Sequence, residues 1–452
     1  MDKGKLIISS VDNEEINMIC EKCDKICITK RFQQNFKNWT SGNNDIDEFI
    51  QDTQLSTHDM YRYSIIEWIP YNRFYDIKYI AKGGFGKVYK ANWIDGPIDE
   101  WDDKNENWKR EYQNKFVALK SLNNSKNITL EFMNEITSHC KLNFGHYIGA
   151  GVIKFYGITQ DPETKNYMMV LDYAENGSLR NYLDKSYNEL SWDDKIIYLF
   201  NITLRLKYIH NNEIIHRDLH IGNILNKSLG DSIFITDMGL CKPADYKENT
   251  KNKVYGVLPY IAPEVLRGQN YTKASDIYSF GIIMYELISG LPPYHDLSHD
   301  KNLAIKICLG LRQRFHIKVP QLIVHLIKRC LDANPLNRPS VSEIYNIVRS
   351  WIVVLCDSCE LSQSELLQEQ IKEADEMNRN SPTNTLPSTS LALSYVTHSE
   401  AIYTSRLLDF NNLPEPRNSD DYHENCDNIT TIEYSDSLQI DISQLKINDD
   451  KI

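Results

Sequence analysis

The sequence predicts an α+β fold for its central part, about residues 71 to 351, and three observations predict it. Apolar residues recur there with dense strand and helix periodicity that the flanks lack. The region opens on a strand, a Gly-rich turn and a second strand: Tyr75 to Ala81, then Lys82-Gly83-Gly84-Phe85-Gly86, then Val88-Tyr89-Lys90-Ala91. Further apolar strands then end on charged residues, Lys120 after Phe116-Val117-Ala118-Leu119 and Asp237 after Ile233-Phe234-Ile235-Thr236, with a helical run between them.

The flanks differ in kind. Residues 1 to 70 are short polar and aromatic pieces. Cys20, Cys23 and Cys27 begin like a zinc ribbon, but a closed zinc site needs four ligands and no fourth stands at proper spacing, so reduced thiols are expected. Residues 352 to 452 form an acidic tail with nineteen Asp and Glu against six Lys and Arg, which accounts for the whole net charge of −12. Its composition predicts one short helix, Leu361 to Met377, then a Ser/Asn-rich linker and a largely disordered remainder. With the charge excess confined to the tail and no basic face, nucleic-acid binding is not expected. No run approaches the roughly 20 apolar residues of a membrane span, and no secretory signal is visible, so a cytoplasmic location is expected. Ten cysteines scattered along the chain do not read as a disulfide framework.

Taken in order, the central elements carry chemistry. Glycines 83, 84 and 86 leave a backbone that can approach phosphate oxygens and aim amides at them, although a Gly-rich hairpin alone is more often structural. Lys120 ends an apolar strand and needs a carboxylate partner. Glu135 offers one on a predicted helix whose Phe132, Glu135 and Ile136 share a face, and Glu131 is the alternative. Between Trp93 and Phe116 lies an insertion rich in Trp, Asp, Asn and Lys, read as a solvated hairpin loop. Asp161 to Asn166 is a hairpin turn, and Tyr167 to Asp172 an apolar strand leaving into an extended segment at Tyr173 and Ala174, where free backbone groups suit an adenine edge. His216-Arg217-Asp218-Leu219-His220-Ile221-Gly222-Asn223 spaces a carboxylate and an amide five residues apart, which suits phosphoryl transfer: Asp218 to orient a hydroxyl and accept its proton, Asn223 to hold a metal ion. Asp237 follows nineteen residues later and can converge on the same site.

With these residues in order, the stretch from about Phe74 to Trp351 resembles the protein kinase superfamily. The loop from Ala81 to Val88 fits its glycine-rich pattern, Val117-Ala118-Leu119-Lys120 its third-strand lysine motif and Asp237-Met238-Gly239 its metal-binding triplet. Ala262-Pro263-Glu264 closes an activation segment, Ser275 to Gly281 looks like the central C-lobe helix, and Arg338 is the arginine expected to pair with Glu264. The resemblance implies a bilobal fold, a β-rich N-lobe with one regulatory helix (about 71 to 174) and a mainly helical C-lobe (about 175 to 351). The sequence departs from the family pattern at Ala81, Met238, His220 and Val257. The last two stand where serine/threonine-directed members have Lys and Thr, which leaves the acceptor residue open. Glu175 to Leu179 and the Ala-Pro-Glu region resemble the tyrosine-kinase-like group.

The resemblance further implies ATP and Mg2+ and a protein substrate. Ala81, Lys82, Gly83, Gly84, Phe85 and Gly86 would cover the phosphates, and Lys120, held by Glu135, would grip them. Val88, Ala118 and Leu225 would sandwich the adenine, with Leu171 as gatekeeper and Asp172 to Ala174 as hinge. Asp218 would act as base, and Asn223 and Asp237 as metal ligands. Arg217 would receive a phosphate placed by an upstream activating kinase on Tyr246, Thr250 or Tyr255. The alternatives are a tyrosine or dual-specificity enzyme and a catalytically inactive scaffold of the same fold.

Overall fold

The computed structural model describes residues 28–56, 65–83, 86–122, 125–126, 128–143, 151–227, 233–243, 254–352, 362–379 and 395–419. The three N-terminal cysteines, Gly84, Phe85, Tyr246 and Thr250 lie outside them.

Two helices precede the first strand, α1 (Ile28–Asn35) and α2 (Asn44–Ser56). The N-lobe is a six-stranded sheet of β1 (Glu67–Trp68), β2 (Phe74–Lys82), β3 (Gly86–Trp93), β6 (Lys115–Leu122), β7 (Phe155–Gln160) and β8 (Tyr167–Asp172), in the spatial order β1-β7-β8-β6-β3-β2. The β1–β7 pair is parallel and every other pair antiparallel. The sheet thus begins at Glu67, ahead of the expected boundary at about 71. Register places Val88 opposite Lys120 and Ala118 opposite Leu171, so the residues read as an adenine pocket sit side by side.

The insertion is a hairpin, β4 (Ile98–Asp102) with β5 (Asn107–Arg110). It is more than a solvated loop. Ile98 is buried beside Phe32 and Ile65, Trp108 stacks on Phe32 at 4.4 Å between ring centroids, and Arg110 forks onto the buried carboxylate of Glu67 at 2.6 Å.

Helix α3 (Leu130–Asn143) lies behind the sheet. Phe132, Glu135 and Ile136 are all fully buried, as the 3.6-residue spacing requires. Phe132 and Ile136 share one apolar cluster with Ile46 and Ile50 of α2.

The C-lobe runs through α4 (Leu179–Ser186) and α5 (Trp192–Asn211), then the short strands β9 (Ile214–Ile215), β10 (Ile224–Asn226), β11 (Ile233–Ile235), β12 (Lys242–Pro243) and β13 (Val254–Gly256). Helices α6 (Pro263–Leu266), α7 (Lys273–Ser289), α8 (Lys301–Cys308), α9 (Gln321–Cys330) and α10 (Val341–Ile352) follow. Ser191 and Asp194 close a capping box at the start of α5, and Thr272 and Ser275 close one at the start of α7. From Ser275 to Ser289 every residue of α7 is buried, the mark of a helix at the centre of a lobe. A Cβ at Gly281 would come within 2.8 Å of Leu331 and 2.9 Å of Cys330, so glycine is what lets α9 approach that closely.

The tail contributes the expected helix, α11 (Ser362–Arg379), docked by Leu367, Ile371 and Ala374 and by an indole bond from Trp192 to Asp375 at 2.9 Å. It also contributes an extended strap, residues 395–419, that the sequence reading does not anticipate. Its strand β14 (Arg406–Leu408) pairs antiparallel with β13, and Leu408 and Leu413 are buried in the C-lobe core.

Candidate active site

The site lies where the sheet meets the helical lobe. Lys120 projects from β6 and is buried, its Nζ 2.5 Å from Glu135 and 3.0 Å from Asp237. Burial disfavours the ammonium, but the two carboxylates outweigh it and raise its pKa. The same contact, working against burial, holds Asp237 below the usual carboxylate range. Glu135, reached from a neighbouring helix, is therefore the partner, as its helical face predicts.

Below this pair the loop from His216 to Asn223 is fixed by Asp276 of α7. One carboxylate accepts the backbone N–H of His216 at 2.8 Å and of Arg217 at 3.0 Å, and the ring of His210 at 2.8 Å. Arg217 and Asp237 sit at φ 69° and 65°, left-handed conformations that cost non-glycine residues and persist only when the surroundings impose them. The Asn223 amide donates to the Asp218 carbonyl at 2.9 Å, and the Thr236 N–H to the Asn223 carbonyl at 3.0 Å, which draws Asp218, Asn223 and Asp237 together. Asp218 is buried, and burial pushes its carboxyl up to about 7. His220 Nε2 lies 3.9 Å from it, and burial lowers that imidazole to about 4, so it stands neutral at pH 7. A neutral ring thus occupies the place where a cation would lower Asp218.

On the sheet side, Val88, Ala118 and Leu225 are half-buried, an apolar surface left partly uncovered, and Leu171 is buried behind Ala118. The side chain of Asp172 is engaged by Lys115 at 3.1 Å and Lys227 at 2.5 Å and accepts the Tyr173 N–H at 3.2 Å, while the Asp172 N–H donates to the Lys154 carbonyl at 2.8 Å. Ala81, Lys82, Gly83 and Gly86 bracket the turn, closed by the Gly83 N–H to the Gly86 carbonyl at 2.9 Å. Met238 is fully buried, its thioether filling an apolar slot.

At the far end of the activation segment Arg338 meets Glu264 with two bonds of 2.7 Å. Tyr260 is bonded to Glu286, which Arg180 also holds at 2.8 Å. Tyr255 lends its carbonyl to the Tyr271 hydroxyl at 2.6 Å, and the guanidinium of Arg217 lies over the Tyr271 ring at 4.5 Å.

Two roles were absent from the sequence reading. Asp276 lies in the Ser275 to Gly281 stretch read as the central C-lobe helix, but its hold on the loop depends on a contact sixty residues away. Ser405, in the strap, bonds the Asp218 carboxylate at 2.5 Å. The run Ala401-Ile402-Tyr403-Thr404-Ser405-Arg406-Leu407-Leu408 does carry a strand signal, aromatic and β-branched residues within a polar tail.

A small sheet thus lies over a helical lobe, with a lysine bridging a helix carboxylate and a second carboxylate at their seam. Residues 76–348 match the family model for protein tyrosine and serine/threonine kinases, and the chain belongs to that family. A probable serine/threonine-protein kinase of Dictyostelium discoideum is 28% identical over 284 residues, 61% of this chain and 28% of that one. The serine/threonine-protein kinase polo of Drosophila melanogaster is 30% identical, covering 60% of this chain and 43% of its own. An Aurora kinase of Schizosaccharomyces pombe is 27% identical, covering 64% and 74%. The chain therefore spans about a quarter of the length of the first of these relatives and under half of the second. Among the described residues no helix is long and apolar enough to cross a membrane, and no cluster of three or more His, Cys, Asp or Glu suits a metal ion.

Proposed function

We propose that the chain transfers the γ-phosphoryl group of ATP to a serine or threonine hydroxyl of a protein. The observation that carries this reading is the buried Lys120 held at once by Glu135 and Asp237, directly above the Asp218 and Asn223 pair. A scaffold has no need of all four groups in one place. The names of the relatives support serine or threonine as acceptor.

The residues present fit the nucleotide and the metal. Carboxylate and amide oxygens at Asp237 and Asn223 suit a hard divalent cation such as magnesium, which neutralises charge on the transferring phosphate when bound. Val88, Ala118 and Leu225 leave an apolar slot that would take a planar ring, and the ammonium of Lys120 would hold the phosphates of the nucleotide. Asp218 orients the acceptor hydroxyl and takes its proton. Arg217, above Tyr271, can receive a phosphate on the activation segment.

Incubation of the purified chain with magnesium-ATP and a degenerate serine/threonine/tyrosine peptide pool, beside Asp218→Asn, tests the proposal. Phosphoserine or phosphothreonine formed by the natural chain and lost by about 10²-fold or more in the variant is expected. Equal labelling by the two, or labelling by neither, would refute it.

A further inference from the structure

We infer that the strap is an intramolecular substrate, with Ser405 the phospho-acceptor of the chain's own Asp218. The inference rests on the phosphoryl-transfer reading and adds a modification site and its consequence. Three observations carry it. First, the Ser405 hydroxyl donates to the Asp218 carboxylate at 2.5 Å, the relation a general base must have to the hydroxyl it deprotonates. Secondly, the residues that follow are seated as a bound peptide would be: Arg406, Leu407 and Leu408 extend the activation segment as a strand opposite Gly256, Tyr255 and Val254. A Cβ at Gly256 would stand 3.3 Å from Asp218, so that strand runs directly beside the carboxylate. Thirdly, the seat is specific. Leu408 and Leu413 are buried, the Arg406 guanidinium donates to the His299 carbonyl at 2.6 Å, and Arg267 forks onto Glu415.

The step balances. Ser405 Oγ bonds to the γ-phosphorus, the bond from that phosphorus to its bridging oxygen breaks with the electron pair leaving on the nucleoside diphosphate, and the hydroxyl proton passes to Asp218. The product carries close to two negative charges beside Asp218 and Asp237, and like-charge repulsion opposes its return to the seat. Until then the strap, tethered at an effective concentration in the millimolar range, competes with every external acceptor. One transfer therefore opens the site to other proteins.

The experiment uses the full chain. With magnesium-ATP, peptide mapping should find phosphate on Ser405, formed with a first-order rate constant that does not change over a tenfold range of protein concentration. Without nucleotide, amide exchange should find Arg406 to Leu408 protected, and Leu408→Asp, which unseats the strap outside the catalytic machinery, should abolish that protection. The same variant should show a KM for an external peptide about tenfold below that of Ser405→Ala, in which the strap cannot be phosphorylated and stays seated, with kcat unchanged. Ser405→Ala should keep the strap protected even after ATP is added. Labelling of the external peptide with Ser405 unmodified overturns the inference and leaves the kinase reading intact, as does a rate constant proportional to protein concentration. Absent protection of residues 406 to 408 in the natural chain before nucleotide is added, or a KM in Leu408→Asp equal to that of Ser405→Ala, also overturns it. Labelling of no acceptor at all overturns both readings.

Discussion

Arg338→Met isolates the contribution of the ion pair that anchors the activation segment. Every arm of the guanidinium is in use: Nη1 and Nη2 donate to Glu264 at 2.7 Å each, Nη1 also to the Ala274 carbonyl at 3.0 Å, and Nε to the Asp332 carbonyl at 2.9 Å. Both side chains are buried, so methionine leaves the Glu264 carboxylate in the core without a counter-charge. Removing one partner of such a pair costs about 3–5 kcal/mol, at least a fifth of the roughly 5–15 kcal/mol that hold an ordinary domain together. With a urea slope of about 3 kcal/mol/M, the midpoint should fall by about 1–1.7 M. Glu264→Gln alone should cost less, because the arginine keeps the Ala274, Asp332 and Ala333 carbonyls as partners. The double variant should recover about 2 kcal/mol relative to the sum of the singles, the signature of coupled residues. Urea unfolding followed by tryptophan fluorescence measures all four proteins. A fall of less than about 1 kcal/mol in Arg338→Met, with coupling below about 0.5 kcal/mol, would show that the pair is not desolvated as described and would refute the reasoning.

Two further outcomes concern pH. Lys195 is buried beside Tyr187 and Trp192, and burial lowers its ammonium from 10.5 to about 8. Between those values the unfolded chain binds the proton more readily, so stability rises with pH across that window. Lys195→Met should thus gain about 2 kcal/mol at pH 7 in denaturant melts and lose that advantage near pH 10.5. Asp218, raised to about 7, must be ionised to accept a proton, so kcat/KM for an external peptide should fall as pH drops below 7. His220→Lys sets an ammonium beside it and should move that acid limb down by about one unit, and an unmoved limb would show that this neighbour does not govern the carboxylate.

Much of this site is legible in one dimension because its parts are local. The spacing of Asp218 and Asn223, the strand ending in Lys120 and the helical face carrying Glu135 are each written within a few residues, and their meeting follows from the order in which they appear. What the sequence conceals is non-local. Asp276, buried in α7, holds the loop through backbone groups that any residues would supply. Asp172 gives its carboxylate to Lys115 and Lys227, neither of them near it in the chain. The strap was hidden by composition: its surroundings are acidic and polar, and three residues of strand gain their partner only from the folded activation segment. The hairpin at 98–110 was misjudged in degree, since Trp108 and Ile98 find their apolar neighbour Phe32 only when α1 folds over them.

Helix α2 alters what counts as this kinase's working unit. Ile46 and Ile50 close the far side of the cluster that contains Phe132 and Ile136, and Gln54 ties α2 to the sheet through the Ile66 carbonyl at 2.7 Å. The helix that presents Glu135 to Lys120 is thus braced from outside the span that family resemblance marks, which begins at residue 76. A fragment cut at that boundary would keep every motif and lose the brace, baring apolar surface on the back of α3. Displacing α2 would therefore uncover the back of the helix that carries Glu135, on the side away from Lys120.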